Sequence, residues 1–202
     1  MTRDKILDSA ALEIERNGLT QFRVKRVASE AGISVALLYS YFEDREGLIA
    51  ATIVHRFRQV LLGTADIFTT PLKNVETAAD LRAALKIMIA DAQLPNRTES
   101  RILRIEGISF AHHNPTASAG ILAAKAEVSD LIVRCVQPLV EKDLLAEGMS
   151  GIAFARIWYA LFFGQIALEG EHALSIDTND WLTALHVLAN AMVKSEEHAP
   201  AH

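Results

Sequence analysis

The 202-residue sequence has little cysteine, glycine, proline or aromatic content: one cysteine (Cys135), ten glycines, five prolines and 6% aromatic residues. A single cysteine excludes an internal disulfide framework and fits a reducing compartment. Because breakers and β-branched runs are few, long stretches keep helical periodicity, which predicts an all-α fold. The sequence also lacks a phosphate-binding glycine loop, a Rossmann glycine pattern and zinc-ligand spacing, so we expect no cofactor and no metal.

The charge is unevenly distributed along the chain. Residues 1–58 contain nine Lys/Arg and eight Asp/Glu, whereas the remainder contains eleven and seventeen, for a total of −5. Half of the residues are apolar, which is ordinary globular composition. The first residues lack the apolar segment of a secretion signal, so a cytoplasmic location is expected. The two parts of the chain are therefore predicted to have different tasks.

The N-terminal part has the pattern of a helix-turn-helix. Apolar spacing predicts helices at about 3–16 and 24–31, and a short one that starts at Ser34 and ends near Tyr41. Gly32 supplies the backbone freedom that the turn requires. Leu38 and Phe42, four residues apart, are expected to face inward, which leaves the other side of the short helix free to enter a DNA major groove.

These residues resemble the signature of the tetracycline-repressor (TetR) family. The segment Gly32-Ile-Ser-x-Ala-x-Leu-Tyr-x-Tyr-Phe42 is preceded by Val27-Ala28 and followed by Arg45-Glu46-x-Leu48, and the similarity extends over about residues 3–55. The resemblance implies a three-helix DNA-binding domain at residues 1–45. It also implies a helical ligand-binding and dimerisation domain at residues 46–195, which leaves residues 196–202 as a frayed tail.

The resemblance also implies which residues contact DNA. The second helix starts after Phe22-Arg23, where family members usually have a capping Ser or Thr, so we expect a missing cap and a phosphate contact by Arg23. Ser34 lies beside a helix N-terminus, which favours an anion such as phosphate. The residues assigned to DNA are Arg23, Lys25, Ser34, Val35, Ala36, Leu37, Tyr39, Ser40, Tyr41 and Arg45.

Downstream, the pattern predicts helices at about 77–93, 97–112, 116–146, 151–169 and 178–195, with a kink at Pro138. Three of them carry more apolar residues than one buried stripe requires. Such a surplus is expected to line a cavity for a largely hydrophobic small molecule, although a plain helical core also explains each residue taken singly. The residues assigned to this ligand are Met88, Arg104, Ile105, Ile108, His112, Leu131 and Cys135.

The last two predicted helices are apolar on nearly all sides. From Ile152 to Leu168 only Arg156, Gly164 and Gln165 are not apolar. The segment is short for a membrane span and contains an arginine, so we expect no membrane insertion. Packing against a second copy in a four-helix interface is preferred over a larger single-chain core. The residues assigned to this interface are Trp158, Phe162, Leu185 and Leu188.

Together these observations predict a homodimeric, ligand-responsive transcriptional regulator rather than an enzyme. We expect a repressor that is released from a palindromic double-stranded operator by a hydrophobic effector. One alternative is an all-α enzyme in which the helix-turn-helix is only a fold element, and this alternative predicts no salt-dependent binding to promoter DNA. Another is a protein-interaction module that uses the apolar face of the last helices, and this alternative predicts monomers at low concentration.

Overall fold

The computed structural model describes residues 2–168 and 176–195, so the expected frayed tail at 196–202 lies outside the described residues. The prediction of an all-α fold is confirmed. In the described ranges the β-structure consists of one isolated bridge, between Leu145 and Val193. The helices are α1 Thr2–Asn17, α2 Val24–Ala31, α3 Val35–Tyr41, α4 Arg45–Leu72, α5 Ala78–Ala92, α6 Asn96–His112, α7 Pro115–Glu141, α8 Gly151–Gly164 and α9 Thr178–Ala191, and a 3₁₀ turn at Gln165–Ala167 follows α8.

Side-chain caps define several helix starts. Asp44 accepts a hydrogen bond from the Gly47 N–H at the start of α4, at 2.6 Å. Thr77 and Asp80 form a reciprocal capping box at the start of α5. Ser150 caps α8 by accepting from the Ala153 N–H at 3.1 Å. Each cap satisfies an N–H group that has no partner within its helix.

Helices α7, α8 and α9 end before the residues that their periodicity predicts, and α8 ends at Gly164 rather than near residue 169. Helix α4 continues to Leu72, with Pro71 in its last turn. Helix α7 passes through Pro138 and stops at Glu141 rather than near residue 146. It stops because Asp143 adopts a φ of 54°, in the left-handed region, and the Leu144 N–H then bonds to the Leu139 carbonyl. Helix α9 ends at Ala191 because the following residues form the bridge to Leu145.

The chain divides into two compact units, and the first comprises residues 1–61 and 103–126. The predicted boundary after residue 45 does not separate these units, because the first half of α4 and parts of α6 and α7 belong with the N-terminal helices. The core of the N-terminal helices consists of Ile6, Leu7, Ala10, Phe22, Val24, Val27, Ala28, Ala31, Leu38, Phe42, Leu48 and Ile49.

Within the first unit, two glycines bring α6 and α7 into close contact with α4. A β-carbon built on Gly107 would lie 2.7 Å from Phe57 Cδ2, and one built on Gly120 would lie 2.7 Å from Val54 Cγ1. Real β-carbons do not approach so closely, so both helices pack on α4 at points where only glycine fits. Phe57 is accordingly 1% exposed.

The second unit comprises residues 62–102 and 127 onward, and it has its own apolar core. Side chains of α4, α5, α7, α8 and α9 contribute to this core, and Leu85, Met88 and Trp158 are fully buried in it. The rings of Phe154, Trp158 and Phe162 follow one another along α8, with centroid distances of 6.4 and 5.3 Å. Such aromatic contacts add stability beyond the area that they bury. Over the described ranges, no helix is both long and apolar enough to cross a bilayer.

The glycine contact generates a stability prediction. Gly107→Ala should lower the free energy of unfolding by about 1–3 kcal/mol, because the added methyl group overlaps Phe57. The matched control is Gly63→Ala in α4, where a β-carbon would meet nothing within 4 Å. That control should raise stability by about 0.5–1 kcal/mol through helix propensity alone. Urea denaturation measures both values, and a stabilised Gly107→Ala variant would show that α4 and α6 have room to spare.

Candidate nucleic-acid interface

Helices α2 and α3 form the helix-turn-helix that the sequence predicts. Gly32 ends α2 with φ 69° and ψ 37°, in the left-handed region that glycine adopts without strain. The Ile33 N–H then bonds to the Ala28 carbonyl at 2.9 Å, which closes the turn. Ile33 is half-buried and packs against the core of the N-terminal helices. The turn therefore fixes the direction in which α3 leaves α2.

Helix α3 has one buried side and one exposed side. Leu38 is 0% exposed and Phe42 is 5% exposed, as their spacing predicts. Ser34 caps the helix, and its Oγ accepts from the Leu37 N–H at 3.1 Å. Val35 is half-buried against the core, so it contributes less to the outer surface than expected. The exposed side consists of Ala36, Leu37, Tyr39, Ser40 and Tyr41.

A buried glutamate of α1 holds the start of α2. As expected, Arg23 makes no side-chain cap. Glu13 is 6% exposed. Its Oε1 accepts from the Arg23 N–H at 3.2 Å and from Arg26 Nη1 at 3.0 Å, and its Oε2 accepts from Asn17 Nδ2 at 2.9 Å. These bonds leave the Arg23 and Lys25 side chains exposed. Glu13 is a functional residue that was not predicted, although its position on the apolar side of α1, three residues after Ala10, is a detectable signal.

Arg45, the first residue of α4, is bound to the loop between α1 and α2. Its Nη2 donates to the Leu19 carbonyl at 2.8 Å, its Nε donates to the Phe22 carbonyl at 3.5 Å, and its Nη1 pairs with Glu46. The guanidinium also lies over the Phe22 ring, 5.6 Å from the centroid. Arg45 thus has a structural task in the free chain, and its phosphate contact stays a prediction.

The exposed surface of α3 combines small apolar groups with phenol and hydroxyl groups. Apolar side chains such as Ala36 and Leu37 suit contacts with thymine methyl groups in the major groove. Tyr39, Tyr41 and Ser34 carry O–H groups that can donate to phosphate oxygens, and Lys25 adds a cation. This arrangement has the chemistry of a DNA-reading helix with phosphate contacts around it.

The residues assigned to a ligand fall in both units. Arg104, Ile105, Ile108 and His112 belong to the first unit, and Arg104 is 3% exposed. The others belong to the second unit, where Met88 is fully buried in the core. Burial raises the pKa of the Cys135 thiol, so it stays protonated and unreactive at neutral pH. The remaining assigned residue of the second unit is Leu131.

Two grooves of the first unit contain some of these residues. The larger encloses about 720 Å³ beside α1, α4 and α6, and Ile105 and Phe57 are among its walls. The smaller encloses about 420 Å³ between the end of α6 and the first half of α7, and it includes Ile108 and His112. Lys125 also lines the smaller groove and was not predicted, because it follows His112 by thirteen residues on a different helix.

The structure corrects two of the assigned interface residues. Trp158 is 0% and Leu185 2% exposed within a single chain, because both pack into the core of the second unit. They have no surface left for a second copy. Phe162 and Leu188 are half-buried against the same core. The apolar groups that α8 and α9 expose are others, among them Ile152 at 63%, Ile157 at 36%, Tyr159 at 37% and Val187 at 66%.

An all-α chain with this exposed second helix belongs to the structural class of helix-turn-helix proteins. Residues 6–52 match the family described as "Bacterial regulatory proteins, tetR family". The HTH-type transcriptional regulator BetI of Paraburkholderia phymatum is 30% identical over 88 residues, which are 44% of this chain and 42% of that protein. The chain therefore matches less than half the length of this curated relative. The helix-turn-helix region of the chain is therefore similar to that of TetR-family regulators.

The fold of the described residues is also similar to that of solved transcriptional regulators. A TetR-family regulator from Mesorhizobium loti superposes with a TM-score of 0.65 at 17% identity, covering 94% of this chain and 93% of that one. The FadR regulator of Bacillus subtilis in complex with stearoyl-CoA superposes with a TM-score of 0.55 at 15% identity, covering 93% and 97%. At such identities the likeness demonstrates the fold alone.

The contacts of Arg45 predict an effect on stability that is independent of DNA. Arg45→Ala should lower the free energy of unfolding by about 1–3 kcal/mol, because two backbone carbonyls lose a charged donor and the Phe22 ring loses its cation. Arg23→Ala is the matched control, since the Arg23 side chain is exposed, and it should change stability by less than about 0.5 kcal/mol. Thermal and urea unfolding without DNA provide the measurement. Equal stability of both variants would contradict the structural task of Arg45.

Proposed function

We propose that this chain is a DNA-binding transcriptional regulator that acts as a homodimer and is released from its operator by a small molecule. The observation that carries the proposal is the division of α3 between two anchoring side chains and an exposed surface. Leu38 and Phe42 are buried, whereas Leu37, Tyr39 and Tyr41 are each 42–43% exposed. A seven-residue helix that leaves two tyrosines and a leucine in water is explained by a partner that covers them.

In the proposed complex, α3 enters the major groove. Ala36 and Leu37 contact base edges, which gives sequence preference, while Tyr39, Tyr41 and Lys25 contact the phosphates, which gives affinity and orientation. The acidic remainder of the chain is repelled by DNA and therefore favours approach through the N-terminal helices. We propose that the chain acts as a repressor, because a dimer bound to the operator excludes other proteins from it.

Two copies of the chain would place two recognition helices on one side of a duplex. Helix-turn-helix dimers read half-sites about 34 Å apart, which makes the operator palindromic. The proposed interface is the exposed apolar surface of α8 and α9, where Ile152 and Val187 are more than 60% exposed. A two-fold interface of this kind buries the same residues from both copies.

The effector is proposed to act on α4, which contributes residues to both compact units. A ligand releases the DNA only if it binds more tightly to the DNA-free conformation, and a difference of about 1–3 kcal/mol changes operator affinity some 5- to 150-fold. The FadR regulator with stearoyl-CoA is an example of this fold with an amphipathic ligand. We therefore retain a ligand with an apolar body as the effector of this chain.

The DNA contacts predict two separable classes of variant. Lys25→Gln and Tyr39→Phe should weaken specific and non-specific DNA alike, and Lys25→Gln should reduce the salt dependence by about one contact per protomer. Leu37→Ala should instead change the preferred sequence, by about 1–3 kcal/mol per affected base pair. Fluorescence anisotropy with the DNA upstream of the chain's own gene, at several salt concentrations, measures both effects.

Arg23→Ala tests the predicted phosphate contact of Arg23 by itself, because this substitution is expected to leave the stability of the free protein unchanged. If wild-type protein binds this DNA no better than unrelated DNA at every salt concentration, the regulator proposal is wrong for that site. If Leu37→Ala weakens all sequences equally, Leu37 positions the protein and does not read bases.

The exposed apolar surface of α8 and α9 predicts the assembly. Val187→Glu should yield a folded monomer, because the side chain is 66% exposed in one chain and the charge disrupts only an interface. Ile87→Glu in α5, at a side chain that is 59% exposed, is the matched control and should stay dimeric. Sedimentation velocity gives the masses. A Val187→Glu protein with full dimer mass would place the interface elsewhere.

A further inference from the structure

The smaller groove of the first unit is lined by polar as well as apolar side chains. It encloses about 420 Å³ and is bounded by the last turns of α6 and by α7 from Ser118 to Lys125. This volume lies within the range of small-molecule sites. Both helices contribute hydrogen-bond donors to the groove, Ser109 and His112 from α6 and Ser118 and Lys125 from α7, and His113 follows directly after α6.

The lining of this groove carries a cation and no carboxylate. Neither aspartate nor glutamate is among its lining residues. Lys125 is half-buried, and no carboxylate forms an ion pair with it in the part of the chain that the structure describes. The rings of His112 and His113 meet edge to face with a centroid distance of 4.8 Å, and an imidazole can donate an N–H to a bound group. A lysine cation with no carboxylate among the lining residues favours an acceptor-rich, negatively charged group.

The remaining lining residues are apolar. Ile121 is 3% exposed, whereas Ile108 is 37% and Leu122 63% exposed. Exposed aliphatic side chains beside a lysine match a molecule that has an apolar body and a single anionic head. A free inorganic ion would leave Ile108 and Leu122 uncovered.

We infer that this groove binds a small organic anion, a carboxylate or phosphate monoester on a compact apolar body, with Lys125 and His112 at its head group. The assignment deepens the proposed function, because it identifies the chemical class of the effector and the place where it binds. Only the regulatory consequence rests on the proposed function, since binding itself requires no DNA.

The position of the groove gives binding a route to α4. The two helices that form the groove are also the helices that pack on α4 through glycine, Gly107 against Phe57 and Gly120 against Val54. Neither contact has room for a β-carbon, so a ligand that separates α6 from α7 has to displace at least one of them along α4. Phe110 of α6 also packs against the core of the N-terminal helices. Binding in the groove is therefore coupled to the elements that hold α3.

The test uses the full chain and three naphthalene probes: 2-naphthoate, 2-naphthyl phosphate and the uncharged 2-naphthalenemethanol. Isothermal titration measures their affinities for wild type, Lys125→Gln, Lys125→Arg and Leu122→Ser. The matched control is Lys86→Gln, which removes an exposed lysine of α5 in the second unit. Unfolding temperatures of all variants without ligand are recorded first, so that only folded proteins are compared.

Wild type should bind at least one of the anions at least about tenfold more tightly than the alcohol, and the two anions distinguish a carboxylate from a phosphate head group. Lys125→Gln should weaken the anion by at least about tenfold and leave the alcohol unchanged, with Lys125→Arg retaining most of the affinity. Leu122→Ser should weaken both kinds of probe similarly, by about fivefold. Lys86→Gln should behave as wild type.

The inference is wrong if wild type binds neither anion. It is also wrong if Lys125→Gln binds the anion as tightly as wild type does, or if wild type binds the alcohol as tightly as the anion.

A second titration then adds the anion that binds more tightly to the complex of the protein with the upstream DNA. Release from DNA in wild type but not in Lys125→Gln supports the coupling. Anion binding without any DNA complex would contradict the proposed function while leaving the site intact, so the two failures are distinguishable.

Discussion

The tight contact of α4 with α6 and α7 is the constraint on which the first unit depends. Gly107 and Gly120 allow Phe57 and Val54 to lie where any larger residue would place a β-carbon at 2.7 Å. Because these contacts join the first half of α4 to later parts of the chain, the helix-turn-helix does not form a compact unit by itself. The unit instead includes residues 103–126, so the later helices help to hold the proposed DNA-binding surface.

That surface is built with few interactions. Helix α3 has seven residues, too few to be stable as an isolated helix. Its position depends on the burial of Leu38 and Phe42, on the Ser34 cap and on the Gly32 turn. At the other end of the motif, Glu13 replaces the missing cap of α2 and Arg45 ties α4 to the preceding loop. Each of these contacts is worth about 1 kcal/mol or a few, so the orientation of α3 responds to small changes around it.

Much of this arrangement could be predicted from the sequence. The parts that could not be predicted all depend on contacts between residues that are distant in the sequence. The burial of Leu38 and Phe42 follows from spacing, because helix periodicity is a local property. Arg45 could not be placed in the same way, since it donates to carbonyls 26 and 23 residues away, and a backbone carbonyl leaves no trace in the sequence. The apolar character of α8 correctly indicates burial, but it does not say what covers each side, and Trp158 is covered by its own chain. Lys125 was missed because a groove between two helices is a property of their packing.

Helix α4 connects the groove to the attachment of α3 over a short distance. Val54 and Arg45 are nine residues apart on one continuous helix, which corresponds to about 14 Å along its axis. A helix is stiff over this distance, so a displacement at Val54 reaches Arg45 as a rigid movement and strains its bonds to the Leu19 and Phe22 carbonyls. A tenfold change in affinity corresponds to about 1.4 kcal/mol, which is comparable to one such hydrogen bond. In the proposed regulator, therefore, an effector does not need to unfold or rebuild the motif, because weakening the attachment of Arg45 in one conformation is sufficient to change its affinity for DNA.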